Sequence, residues 1–140
     1  AAMLSGKSIP FIENISKAAR LIGIAFQVRD DLLDYGVSKG NIGKPEMQDI
    51  LEDKITYPLY FALKYSNKKD SSKILKKLKN KDFSIEEVAD FVSSSNAFNK
   101  CNSLIQNYNN EISKCINQIS NKEIRDEMLN LSESLKNRYE

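Results

Sequence analysis

The chain has 140 residues, of which 41% are hydrophobic and 29% charged, a composition typical of a globular protein with enough apolar material for one modest domain. The net charge is only +2 and no run of about 18 apolar residues occurs, so neither nucleic-acid binding nor a transmembrane segment is expected. The sequence has no histidine, which excludes catalysis through an imidazole base and any zinc site with a histidine ligand.

Helical periodicity runs through almost the whole sequence, and the alternation typical of strands is absent, which predicts an all-α helical bundle. The first helix is predicted from Pro10 to about Tyr35, with Gly23 inside it facing a close helix neighbour. A loop rich in glycine is predicted over residues 36–45, followed by a short helix that begins at Pro45. Five further helices are predicted: from Thr56 to about Ser66, over residues 70–79, from Ser84 to about Val92, over residues 97–119, and from Asn121 onward.

Several of these helices carry patterns that predict local contacts. Ser84 and Glu87 have the spacing of a capping box, and Asn121 is expected to cap the last helix. The lysine-rich run over residues 66–82 is interpreted as a solvated face. The residues predicted to face inward on the last two helices are Cys101, Leu104, Ile105, Tyr108, Ile112, Cys115, Ile116 and Ile119, and then Ile124, Met128, Leu131 and Leu135.

The two cysteines, Cys101 and Cys115, fall in one predicted helix, where a rise of about 1.5 Å per residue separates them by about 21 Å. A disulfide requires Cα atoms within about 7 Å of each other, so no intramolecular bridge is expected. Both cysteines are therefore interpreted as small core residues of a protein in a reducing compartment, the cytoplasm or an organelle such as the mitochondrion.

The most unusual stretch lies at the end of the first predicted helix, where Asp30, Asp31 and Asp34 interrupt an apolar segment before Gly36. Asp30 and Asp34 point in the same direction on a helix, and Gln27 adds an amide to that face. Such carboxylates repel each other, and the negative end of the helix dipole repels them further. We therefore expect a compensating positive charge, for which Mg²⁺ is the natural candidate because it takes hard oxygen ligands. The alternative is an acidic helix end on a solvated surface.

An ordered set of motifs occupies residues 21–63 around these acids. It consists of Phe26-Gln27-x-x-Asp30-Asp31-x-Leu33-Asp34, then Gly43-Lys44, then Asp49, then Lys54-x-Thr56-x-Pro58-Leu59. This set resembles the second aspartate-rich region of the trans-isoprenyl diphosphate synthases, and the long-chain polyprenyl members most. The resemblance implies the all-α isoprenoid synthase fold, of which residues 1–140 would form a single partial domain. It also implies the condensation of isopentenyl diphosphate with an allylic diphosphate.

The resemblance implies a catalytic role for five residues that match the family's motifs. Asp30, Asp31 and Asp34 would bind Mg²⁺, which would in turn hold the allylic diphosphate. Lys44 and Lys54 would contact diphosphate oxygens. Metal and lysines aimed at the departing diphosphate would stabilise its growing charge, so no protein nucleophile would be needed.

Three further residues are implied to contact the substrates or to support those that do. Phe26 would line the pocket for the growing hydrocarbon, and Gln27 would lie on the substrate or metal side. Asp49 would support the polar cluster. The chain departs from the family where it usually has glycine, because Met47 occupies one such position and Asp53 another, just before Lys54.

The family's other aspartate-rich cluster and its upstream diphosphate-binding motifs do not occur in the sequence. Glu123, Asp126 and Glu127 form another acid group, but they open a predicted helix, where acids favour the dipole, and are interpreted as structural. We therefore expect a C-terminal portion of a longer synthase that is inactive without the missing N-terminal half of the same protein. The first helix would leave apolar faces uncovered, which predicts a homo-oligomer or a helix arrangement altered from that of the intact fold.

Two alternatives remain open at the level of sequence. One is a non-catalytic helical subunit, or interaction module, that works through a partner in a heteromeric prenyl synthase. Met47 and Asp53 favour it mildly, whereas the three aspartates and two lysines argue against it. The other is a head-to-head synthase, against which the Lys-x-Thr-x-Pro ending argues.

Overall fold

The structure is a computed structural model, and it describes residues 8–38, 41–42 and 46–137. These residues form seven α-helices and one short pair of strands. In chain order they are α1 (Ile9–Asp34), β1 (Val37–Ser38), β2 (Asn41–Ile42), α2 (Gln48–Leu51), α3 (Tyr57–Tyr65), α4 (Lys68–Asn80), α5 (Ile85–Ser93), α6 (Ala97–Asn117) and α7 (Lys122–Asn137). The all-α prediction is confirmed, and the predicted bounds of the six longer helices agree to within two residues.

The segment between α1 and α2 differs from its prediction. Gly36 ends α1 with a φ of 71°, the left-handed conformation that glycine adopts without steric cost. Two-residue strands then pair antiparallel, with Val37 opposite Ile42, inside the stretch predicted to be only a loop. The predicted helix start at Pro45 lies outside the described residues, and α2 begins at Gln48.

The chain divides into two compact units, each with its own apolar core. The first takes the described parts of residues 1–27 and 104–140, and the second takes those of residues 28–103. The buried core of the first unit comprises Ala18, Leu21, Ile22, Ile112, Cys115 and Ile116. That of the second comprises Tyr35, Met47, Ile50, Leu59, Ala62, Ile74, Val88, Val92 and Ala97. The single partial domain stays a prediction.

The predicted helix caps form. Ser84 Oγ accepts a hydrogen bond from the backbone N–H of Glu87 at 3.1 Å, and Asn121 Oδ1 accepts one from Ile124 N–H at 3.1 Å. The Glu87 carboxylate contacts Lys77 Nζ at 2.7 Å and so links α5 to α4. Only the Ser84 half of the capping box is formed.

Two packing predictions are wrong. Apart from its chain neighbours and the backbone of its own helix turn, no described atom lies within 4 Å of a Cβ built on Gly23, so a close helix neighbour does not explain this glycine. Leu131 is 48% exposed, because α7 turns Met128 and Ser132, four residues apart, toward the interior. Leu135 lies outside the described side chains. Both cysteines are buried and free, as predicted. Among the described helices, none is long and apolar enough to cross a bilayer.

Candidate functional site

Asp31 is a buried carboxylate that caps another helix. Only 4% of the residue is exposed, and its Oδ2 accepts a hydrogen bond from the backbone N–H of Tyr57 at 2.7 Å. Tyr57 is the first residue of α3, so this amide has no carbonyl partner within its own helix. Thr56, at the N-cap position, makes no side-chain capping bond. Asp31 therefore provides the hydrogen-bond acceptor that the first amide of α3 lacks within its own helix, and it faces the positive end of the α3 dipole.

Asp34 holds the turn that leads into α2. Its Oδ1 accepts a hydrogen bond from the N–H of Gln48 at 2.9 Å, and its Oδ2 accepts one from Asp49 N–H at 3.4 Å. Its backbone carbonyl accepts hydrogen bonds from the N–H groups of Glu46 and Met47, both at 3.0 Å. Partial burial raises the pKa of Asp34 above its ordinary value, and the two amide hydrogen bonds to its carboxylate only partly oppose that effect.

Backbone amides thus supply part of the positive compensation that the acidic helix end requires. For Asp31 and Asp34 the compensating groups are the N-terminal N–H groups of α3 and α2. Among the residues that the structure describes, no group of three or more acidic or cysteine side chains is arranged to hold a metal ion. The metal role of Asp30, Asp31 and Asp34 stays a prediction.

Four carboxylates, one of them the capping Asp34, meet around an open depression of about 360 Å³. Asp30, Asp34, Glu46 and Asp49 line it together with Leu33 and Gln48. Carboxylate oxygens are the donors that Mg²⁺ prefers, and Mg²⁺ commonly takes only one or two of them, completing its shell with water and phosphate oxygens. The donor chemistry of this depression therefore fits Mg²⁺ in a site where a phosphate group supplies further ligands.

Lys54 is anchored beside the depression by two carboxylates. Its Nζ lies 2.9 Å from Asp49 Oδ1 and 2.8 Å from Glu52 Oε2, while 58% of its side chain stays exposed. Hydrogen bonding to Glu52 and Asp49 raises the pKa of Lys54, so the amine keeps its full charge at neutral pH. The arrangement positions a cation where a solvent-accessible anion can reach it.

One polar contact near the depression was missed by sequence reasoning. The hydroxyls of Tyr35 and Thr56 lie 2.9 Å apart, and each residue is only 2% exposed. Burial raises the pKa of Tyr35, which keeps the phenol neutral. The Lys-x-Thr-x-Pro motif marks Thr56 as special, but no local pattern identifies its partner 21 residues away.

The other residues named from sequence lie elsewhere. Lys44 falls outside the described residues. Phe26, half-buried, and Gln27, exposed, are on α1 within the first unit. Their contacts with substrate stay predictions.

Comparison with known proteins identifies the family. A family model described as polyprenyl synthetase matches residues 1–95. The chain belongs to the polyprenyl synthetase family. It is 43% identical over 65 residues to the heterodimeric geranylgeranyl pyrophosphate synthase large subunit 1 of Arabidopsis thaliana, a chloroplast protein, over 46% of this chain and 18% of that one. It is 29% identical over 139 residues to a probable mitochondrial hexaprenyl pyrophosphate synthase of Yarrowia lipolytica, over 99% of this chain and 30% of that one.

A solved structure gives the same fold. A decaprenyl diphosphate synthase from Rhodobacter capsulatus superposes with a TM-score of 0.83 at 20% sequence identity, over 99% of this chain and 43% of that one. The predicted family and the predicted helical isoprenoid synthase fold are both confirmed. The chain spans less than half the length of each of these polyprenyl synthetase relatives.

The two residues that replace glycines of the polyprenyl synthetase pattern coincide with unusual backbone. Met47 has a φ of 51° and Asp53 a φ of 62°, both in the left-handed region that favours glycine. They flank α2, the element that carries Asp49. The chain therefore keeps the backbone conformation that glycine would adopt freely, although both positions carry side chains.

Proposed function

We propose that this chain supplies the second aspartate-rich half of the active site of a polyprenyl diphosphate synthase. The reaction is the head-to-tail condensation of isopentenyl diphosphate with an allylic diphosphate. The observation that carries the proposal is the depression lined by Asp30, Asp34 and Asp49, with Lys54 anchored beside it. The family membership supports the reaction class, and the other aspartate-rich cluster would come from a further part of the same protein.

Some of these residues would bind the metal or the diphosphate, and others would position the residues that do so. Asp30 and Asp34 would present oxygens to Mg²⁺, and Lys54 would exchange one of its carboxylate partners for a diphosphate oxygen. Asp31 would act as a positioning residue, since its Oδ2 is bonded to the start of α3. Lys44, Phe26 and Gln27 keep the substrate-binding roles that the family resemblance implies.

The chemistry asked of these residues is electrostatic. Bound Mg²⁺ would neutralise the charge that grows on the allylic diphosphate as its carbon–oxygen bond breaks. Lys54, fully protonated, would donate to the same oxygens. Asp34, whose two oxygens accept backbone hydrogen bonds, keeps a fixed orientation and would lose little side-chain entropy on binding.

Calorimetric titration of the full-length synthase with farnesyl diphosphate, with and without Mg²⁺, tests the proposal. Asp30→Ala should weaken Mg²⁺-dependent binding about tenfold or more, because a metal ligand is lost. Asp90→Ala, which removes an exposed carboxylate of the same unit, is the matched control and should bind as the wild type does.

The variant Asp31→Ala tests the positioning role of Asp31. It should lower the free energy of unfolding by about 1–2 kcal/mol, the usual cost of losing a helix cap.

Unchanged Mg²⁺-dependent binding in Asp30→Ala, measured with folded protein, would refute the metal site. Binding without activity in the full-length wild-type protein would instead favour a non-catalytic subunit that works through a partner.

A further inference from the structure

α4 concentrates the positive charge of this chain. Its six lysines and one aspartate give it a net charge of +5, whereas the whole chain carries +2 and the remainder therefore −3. Such an asymmetry produces a local positive field that the overall charge conceals.

The lysines of α4 occupy the side opposite its core contacts. Ser71 and Ile74 are buried against the second unit. Lys69, Lys73 and Lys76 follow each other at intervals of four and three residues, so they form one exposed stripe on the other side, without an acid among them. Like charges at these intervals repel each other, and the stripe does not help the helix to form.

Over its described residues, the second unit does not neutralise the positive charge of the lysine stripe. Lys77 is held by Glu87 at 2.7 Å and Lys81 by Asp53 at 2.7 Å. By contrast, no acidic group in the part of the chain that the structure describes lies within 4 Å of Lys69, Lys73 or Lys76. Three exposed ammonium groups are left to meet an anion from outside.

An apolar crevice of about 280 Å³ runs beside the same helix. Seven of its ten lining residues are hydrophobic, and Leu75, Leu78 and Lys79 belong to both the crevice and α4. Two residues of its rim are exposed to an unusual degree for large aliphatic side chains, Ile55 at 70% and Leu75 at 47%. The basic stripe is thus bordered by apolar groups.

We propose that the outer side of α4, with this apolar rim, docks on the anionic surface of a lipid bilayer. The lysines would meet phosphate and carboxylate headgroups, and Ile55 and Leu75 would reach the boundary between headgroups and acyl chains. A nucleic acid would satisfy the lysines but would leave the aliphatic rim without a partner. The apolar side of α4 is already used in the core, so the helix lies on the bilayer and does not insert.

Cosedimentation with vesicles tests the proposal without any diphosphate substrate, so its failure and that of the proposed function are distinguishable. The protein should bind phosphatidylcholine vesicles that contain about one-third phosphatidylserine, and not vesicles of phosphatidylcholine alone. The variant Lys69→Gln/Lys73→Gln/Lys76→Gln should lose at least about tenfold in partitioning, because each lysine near such a surface contributes about fivefold.

The matched control is Lys17→Gln/Lys114→Gln/Lys122→Gln, which makes the same change in net charge at three exposed lysines of the first unit. It should bind within about twofold of the wild type, because a local field and not net charge drives binding. An equal loss in the control, or no binding of the wild type, would overturn the proposal.

A second variant tests the apolar rim. Leu75→Ser keeps every lysine, and it should weaken vesicle binding while leaving the melting temperature nearly unchanged, because Leu75 is about half exposed. Unchanged vesicle binding by Leu75→Ser would overturn the assignment to lipid. Tighter binding of the wild type to polyuridylate than to the anionic vesicles would do the same.

Discussion

The hydrogen bond between Tyr35 and Thr56 joins the end of α1 to the start of α3, and the bond from Tyr57 N–H to Asp31 lies beside it in sequence. Both hydroxyls are buried, so neither can turn to bulk water when the other is removed. A buried polar group left without a partner costs about 1–3 kcal/mol, whereas removing both members of a pair costs much less.

A double-mutant cycle measures this pair. Thr56→Val should lower the free energy of unfolding by about 1–3 kcal/mol, because it leaves the Tyr35 phenol unsatisfied. Tyr35→Phe should also be destabilising, and the double variant should recover part of the loss, with a coupling of about 0.5–3 kcal/mol in urea denaturation. Strictly additive losses would show that the two hydroxyls do not interact.

The buried thiol of Cys101 makes the stability of the fold depend on pH. Burial, with a smaller contribution from the charge of Asp31, raises the pKa of the Cys101 thiol from 9.0 to about 12. Above pH 9.0 the unfolded thiol therefore loses its proton while the folded one keeps it, so stability should fall as pH rises from 9.0 toward 12. The slope attributable to this group is at most about 1.4 kcal/mol per pH unit.

Guanidinium denaturation of the wild type and of Cys101→Ala across this pH range isolates the thiol, because lysines and tyrosines titrate in both proteins. The wild type should lose more stability than the variant does as pH rises. Parallel pH profiles, or rapid alkylation of Cys101 by iodoacetamide in the native protein at pH 8, would contradict the buried position.

At the scale of elements, sequence periodicity was sufficient for six helices and for the caps at Ser84 and Asn121, because these signals are local. It failed where the partner of a side chain lies far along the chain. The capping of α3 by Asp31 joins residues 26 positions apart, and no spacing rule reveals it. The wrong face assigned to Leu131 has a related cause, since a helix with apolar residues on several sides is oriented by its neighbours.

α2 shows the same limit of prediction in its backbone. This four-residue helix is bounded by left-handed residues, Met47 before it and Asp53 shortly after it. The family pattern marks both positions as glycine sites, but only the structure shows that the chain keeps the conformation. The strain has a different context at each site, because Met47 is fully buried whereas Asp53 is exposed.

Replacing each residue by glycine should therefore have opposite effects. Asp53→Gly should raise the free energy of unfolding by up to about 1 kcal/mol, because it relieves a positive φ. The exposed pair with Lys81 that it removes contributes little. Met47→Gly should lower stability by about 2–5 kcal/mol, because it leaves a cavity. Urea denaturation measures both, and effects of the same sign would contradict this account.

At the scale of the whole molecule, several large apolar side chains stay exposed, among them Ile9 at 71% on α1. Exposed apolar surface favours association. We expect the purified protein to form a homo-oligomer, as the uncovered first helix predicts from sequence. Multi-angle light scattering should give a mass at a multiple of 15.9 kDa that decreases on dilution. A monodisperse monomer at micromolar concentration would rule this out.

The capping contacts of the motif aspartates affect how natural variation in such chains is interpreted. Asp31 and Asp34 cap helices, so purifying selection for folding retains them even in a lineage that has lost catalysis. Surveys that recognise inactive paralogues by missing aspartates would therefore overlook some.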